Sequence, residues 1–221
     1  MFLIFFLAEP AFAGLTAPYL GNTLILKTEA GILYQNYSYG TSFYKYNEDL
    51  DFEGYGFKTV FKPGVVMNYF VDMAAGRGEV AGRKTSRAGM IEAQAGIEGV
   101  LAGDIEIFPV WKWALAAGGR AANFNSYQNN TIDIDYREGF IDLSVYIAKK
   151  YSNFIPYIGA AFKYSVDKYE ENLTGASSKS DYSDIAVTYG LKYIVMSNFY
   201  VQAGGRYINE SGFYLDVGGI Y

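Results

Sequence analysis

Along residues 184–208, DIAVTYGLKYIVMSNFYVQAGGRYI, oily and polar positions alternate with a period of two. Ile185, Val187, Tyr189, Leu191, Tyr193 and Val195 fall on one side, and Asp184, Ala186, Thr188, Gly190, Lys192 and Ile194 on the other. After Met196-Ser197-Asn198 the alternation resumes through Arg206. Side chains of an extended chain point to opposite faces in turn, so this is a strand with one apolar face. The same pattern predicts strands at 24–39, 51–62, 65–77, 88–101, 110–124, 134–149, 154–169, 183–195, 199–209 and 212–221. No helical period of useful length interrupts them and no linker divides them, so the expectation is one all-β domain of ten strands. The count falls to eight if 88–124 makes fewer crossings.

The connections alternate in character. Lys62-Pro63-Gly64, Ala102-Gly103-Asp104, Tyr151-Ser152-Asn153 and Met196-Ser197-Asn198 are short, whereas 40–50, 78–87, 125–133 and 170–182 are longer and polar; the last outer connection, 209–212, is brief. Short turns at one end, long loops at the other and an even strand count are the layout of a closed, antiparallel, up-and-down transmembrane β-barrel. Both termini then lie on the short-turn side.

Charge segregates by face. Lys27, Glu29, Lys58, Asp72, Glu92, Glu98, Lys112, Arg120, Glu138, Asp142, Lys163, Lys192, Arg206 and Asp216 share one face with many Gly and Ala. Leu, Ile, Val, Phe, Tyr, Trp and Met crowd the other. A soluble ligand-binding barrel also alternates, with its oily side inward. Two features favour the reverse. The segments far exceed the 5–6 residues of an average soluble strand and meet the roughly 9–11 that a tilted strand needs to cross a bilayer. In addition, Gly weakens a strand. It is useful on the charged face only where long Lys, Arg and Glu side chains need room inside a closed lumen. The oily face is therefore assigned to lipid. Aromatic girdles are placed near the short turns (Phe61, Phe108, Trp111, Trp113, Phe154, Tyr157, Phe199, Tyr221) and near the loops (Tyr34, Tyr37, Tyr39, Tyr127, Tyr136, Tyr169, Tyr182).

Composition removes whole classes of chemistry. The 221 residues include no Cys and no His, which excludes disulfides, thiol nucleophiles, His-based triads and His or Cys metal ligation. No run of 18 apolar residues exists, so a membrane helix is not expected. A net charge of −5 with no basic stripe argues against nucleic acid as a partner. At the N-terminus, a short apolar segment precedes Ala11-Phe12-Ala13, the pattern of a secretory cleavage site, although no positive residue stands before it. Residues 1–13 are read as a signal peptide that lacks the expected positive start, and 14–221 as the mature domain.

With these features in place, the chain resembles small outer-membrane β-barrel proteins of Gram-negative-type bacteria, of the OmpA-like and porin-like kind. The resemblance is carried by the leader, by PYIGAAFKY at 156–164, by YGLKY at 189–193 and by the last strand, GFYLDVGGIY, with its C-terminal aromatic Tyr221. It implies secretion to the periplasm, residence in the outer membrane, and recognition of the last strand by the barrel assembly machinery. The family's usual last residue is Phe, where this chain has Tyr.

Acids and bases in the predicted lumen nearly balance, and an unpaired buried charge costs several kcal/mol. The favoured expectation is a salt-bridged plug, with Glu92, Glu98, Lys112, Arg120, Asp142, Lys163, Lys192, Arg206 and Asp216 at mid-height. The alternative is a narrow, weakly cation-preferring path for small solutes. No cofactor or metal is called for. Glu138 and Asp142 are the one carboxylate pair weighed for acid–base work, but four residues along a strand separate them by about 13 Å, so the protein is expected not to be an enzyme. The Tyr-rich stretch 35–55 raises a third role, surface adhesion or ligand binding through the loops.

Overall fold

In the computed structural model the described residues are 28–41, 48–61, 67–80, 88–103, 108–124, 133–172, 174–208 and 210–221. They form ten strands: β1 (Glu29–Thr41), β2 (Glu48–Phe61), β3 (Met67–Val80), β4 (Ala88–Ala102), β5 (Val110–Phe124), β6 (Ile134–Ala148), β7 (Phe154–Glu171), β8 (Ser177–Met196), β9 (Phe199–Ile208) and β10 (Glu210–Ile220). Each strand pairs antiparallel with its sequence neighbours, and β1 pairs with β10 to close the barrel. An even number is what lets first and last strands meet antiparallel. Reciprocal backbone hydrogen bonds between Thr28 and Tyr221, 3.0 and 2.8 Å, fasten the seam at the short-turn end. Leu24, Leu26 and Lys27, the leader, and the turn at 62–64 lie outside the described residues.

Turn chemistry explains the short-turn rim. The Tyr151–Phe154 hairpin is closed by two backbone hydrogen bonds of 2.7 and 2.9 Å, with Ser152 at φ 56°. Gly103, at φ 95°, supplies the left-handed residue beside a register shift at Val100–Ala102. A second shift, at Ile194–Met196, opens the turn into β9. Such irregularities absorb the twist at a barrel rim.

One element departs from expectation. Residues 177–182, assigned above to a loop, continue β8, and β7 runs on to meet them, so Glu170 pairs with Ser177. The hairpin of 18 and 20 residues stands above its neighbours. Its upper outward face is polar, so the apolar alternation that marks the lower strand is missing there. Inward-facing Ser180 and Tyr182 hold the segment by bonding to Asp167 (3.0 Å) and Glu138 (2.8 Å).

The faces are inverted relative to a soluble barrel. Ile32, Tyr55 and Ile91 are 62–69% exposed on the outside. Phe57, Met73, Ile158, Ile185, Tyr207 and Phe213 share that outer surface. Every charged residue of the predicted lumen set within the described residues points inward and is at most 5% exposed. An apolar outer wall around a charged interior excludes the soluble ligand-binding alternative, whose oily side would line the cavity.

Candidate functional site

The lumen is built from tilted strands, which decides who meets whom. A row of cross-strand partners leaves β1 at Tyr37, near the loop rim. It passes Gly212, Arg206, Thr188, Gly159, Tyr146 and Lys112 and reaches Val100 near the short-turn rim. A row that descends the barrel while circling it reflects the strong strand tilt that closure requires. Because of it, the residues expected at mid-height do not form one ring but occupy two storeys.

The loop-side storey centres on Arg120. Its guanidinium reaches Glu92 through Nε (2.6 Å) and Glu138 through Nη1 (3.0 Å), and lies 4.6 Å from the Tyr37 ring centroid. Lys163 approaches the other oxygen of Glu138 at 3.3 Å. Tyr37 donates to Glu92, while Tyr136 and Tyr182 donate to Glu138, each at 2.8 Å. Arg206 of β9 crosses to Asp142 of β6 at 2.9 Å. The planar fork of Arg suits a bridge between two carboxylates, where Lys can offer only a point charge.

The turn-side storey repeats the logic. Lys192 donates to both oxygens of Glu29 at 3.0 Å and sits 4.0 Å from the Tyr200 ring centroid. Tyr200 donates to Asp216 at 3.1 Å. Glu98 takes Lys112 at 3.7 Å, Tyr146 at 2.9 Å and Asn68 at 3.0 Å. Lys58 faces Asp72, its partner in register, and Gln94 donates to Asp72 at 3.1 Å.

Tyrosines are therefore part of the site, and this corrects the girdle assignment. Tyr37, Tyr136, Tyr157 and Tyr169 are buried, and Tyr182 also points inward, so none of them faces lipid. Nearness to a strand end suggested the girdle; parity decides the face. Tyr136 is two residues from Glu138 and Tyr169 two from Asp167, hence on the same side, where each donates its hydroxyl to that carboxylate. Phe61, Phe108, Trp111, Phe154, Phe199 and Tyr221 are exposed on the outside near the short turns, with Trp113 half-buried beside them. Tyr34 faces outward against Tyr55 and Phe213. Tyr127 lies outside the described residues, as does the side chain of Tyr39.

Inward glycines make the room. A Cβ on Gly190 or Gly204 would strike the Tyr157 hydroxyl, so two strands give way to let one ring lie across the lumen. What the lumen can do chemically follows from its pairing. Glu138 and Asp142 both point inward, but each is held by a cation, Glu138 by Arg120 and Lys163, Asp142 by Arg206. Both carboxylates are thus engaged in ion pairs. Among the described residues no group of three His, Cys, Asp or Glu is placed to hold a metal ion.

No protein-family model and no curated protein matches the chain. Among solved structures it is similar to the outer-membrane protease OmpT from Escherichia coli, at 12% identity over 90% of this chain and 99% of that one, with a TM-score of 0.47. It is also similar to the translocator domain of the autotransporter NalP from Neisseria meningitidis, at 10% identity over 88% and 87%, TM-score 0.48. Ail, the attachment invasion locus protein of Yersinia pestis, aligns at 13% identity over 88% and 97%, TM-score 0.29. At these values no residue and no activity carries across. The chain's own geometry is that of an outer-membrane β-barrel: closed, even-stranded and antiparallel, apolar on the outside and charged within.

Proposed function

We propose that the protein is a non-enzymatic integral barrel of a bacterial outer membrane whose lumen is a closed, salt-bridged plug with a structural role. The carrying observation is the burial of the lumen charges: thirteen predicted lumen residues from Glu29 to Asp216 are at most 5% exposed, so water scarcely reaches them. Their acids and bases are interleaved on both storeys, which supports pairing over conduction.

A second reading, passive passage of small cations, is favoured by one observation. Gln35, Asp72, Gln94 and Asp216 each present a buried oxygen that accepts no hydrogen bond among the described residues. The adhesion reading loses ground, because most of the Tyr-rich stretch 35–55 is wall. Residues 35–41 and 48–55 belong to β1 and β2, and only 42–47 lie outside the described residues.

Planar-bilayer recording of the refolded chain separates the first two readings. The plug predicts no steady current above leak; a stable ohmic conductance that favours cations would overturn it and support the path.

A further inference from the structure

One cross-strand row on the outer wall breaks the sheet's own rules. Arg137 of β6 stands directly opposite Lys168 of β7, which stands directly opposite Lys179 of β8. All three are exposed on the outside. Like charges directly opposite destabilise a sheet, so three cations abreast call for a counter-charge. Part of it is internal: Lys168 donates to Glu170 at 2.7 Å, which holds that carboxyl below its ordinary range. Asp135 and Glu170 lie one outward position further toward the loops, and Asp135 accepts from Asn123 at 2.6 Å. Asp181 lies one outward position below Lys179. Neither Arg137 nor Lys179 has an ion pair among the described residues.

What lies below the row gives the direction. Outward positions on β7 are apolar from Phe154 to Val166, and Lys168 is the first charge above them. The cations therefore sit where hydrocarbon gives way to headgroups. Beneath Arg137 the outer wall carries a trough of about 480 Å³, lined by Tyr55, Phe57, Met73, Ala93 and Gly119 with Arg137 at its upper end. Gly139, next below Arg137 on the same strand, opens onto empty space.

We infer that Arg137, Lys168 and Lys179 form a site for the phosphate of an anionic lipid in the loop-side leaflet, with an acyl chain lying in the trough. The reading rests on the wall being lipid-facing. Charge complementarity selects the headgroup: on β6 and β7 the first charges met on leaving the apolar band are the cations Arg137 and Lys168, with the compensating acids Asp135 and Glu170 beyond them, while on β8 Asp181 precedes Lys179. The trough selects a lipid over a free anion, because only a lipid brings a chain to fill it.

The test is native mass spectrometry of the full chain refolded in detergent and offered phosphatidic acid or phosphatidylcholine. The expected result is selective retention of phosphatidic acid. Replacing Arg137, Lys168 and Lys179 together by Gln should weaken retention about fivefold per charge removed, given the attraction of a basic residue near an anionic surface. Gly139→Leu, which has room for its side chain directly opposite the lining residue Gly119, should weaken it by crowding the edge of the trough. The Lys149→Gln, Lys150→Gln variant at the opposite rim should not. Equal retention of both lipids overturns the site while leaving the membrane barrel standing. Inorganic phosphate that displaces phosphatidic acid completely, with Gly139→Leu silent, shows an anion site without a lipid and also overturns it. A chain that is monomeric without detergent and retains no lipid at all would instead sink the membrane reading on which the proposal rests.

Discussion

At the scale of single residues the molecule is held by charges that meet in pairs away from water. Such pairs add little over an apolar core of the same shape, but removing one partner leaves a charge that nothing solvates. Arg120 is the sharpest case, because it serves Glu92 and Glu138 at once. Arg120→Met should therefore lower unfolding stability by about 3–5 kcal/mol, read as the urea midpoint of the refolded barrel. Adding Glu92→Gln to that variant should recover part of the loss, since Glu92 is then neutral, whereas Glu138 keeps Lys163 beside it. A single variant as stable as the parent would mean that the cluster is hydrated and open. The tyrosines were less legible than the charges. Position near a strand end named Tyr136 and Tyr169 as girdle residues, although their parity with Glu138 and Asp167 already placed them inside.

At the scale of the strand, alternation is informative only where the two faces meet different solvents. Between lipid and lumen the contrast is large, and the apolar stretches of β4, β5 and β6 can be read directly from the sequence. Above the bilayer both faces of the β7–β8 hairpin are polar, so Ser177 to Tyr182 look like loop while extending β8. What fixes them is pairing with β7 and hydrogen bonds to Asp167 and Glu138, neither of which leaves a periodic trace. The same contrast sets a directional expectation. Leu143, outward on β6 between Ile141 and Val145, should not tolerate Arg: at mid-bilayer the cost is about 2–4 kcal/mol, measurable by unfolding from vesicles. Ser183→Arg, outward on β8 at the polar margin, should cost about 1 kcal/mol or less. Equal penalties at the two positions would place the hydrocarbon boundary elsewhere.

At the scale of the whole molecule, closure, tilt and the inverted faces follow from one another. Ten strands close antiparallel because their number is even, and the tilt carries each lumen row from rim to rim. That descent distributes the charges over two storeys, and the lumen is narrow enough for side chains from facing strands to meet. Strand number and the identity of the charged face could be read from the pattern; the storeys could not, because they depend on register between strands far apart in the chain. Everything rests on the outer wall meeting hydrocarbon. Since the chain has no Cys, a single introduced one can carry a spin label without a competing site. Labels placed in turn at Leu143, Ser144 and Val145 of the bilayer-reconstituted protein report collision with oxygen, which concentrates in lipid. The account predicts strong collision at 143 and 145 and weak collision at 144; weak collision at 143 and 145 alike would contradict it.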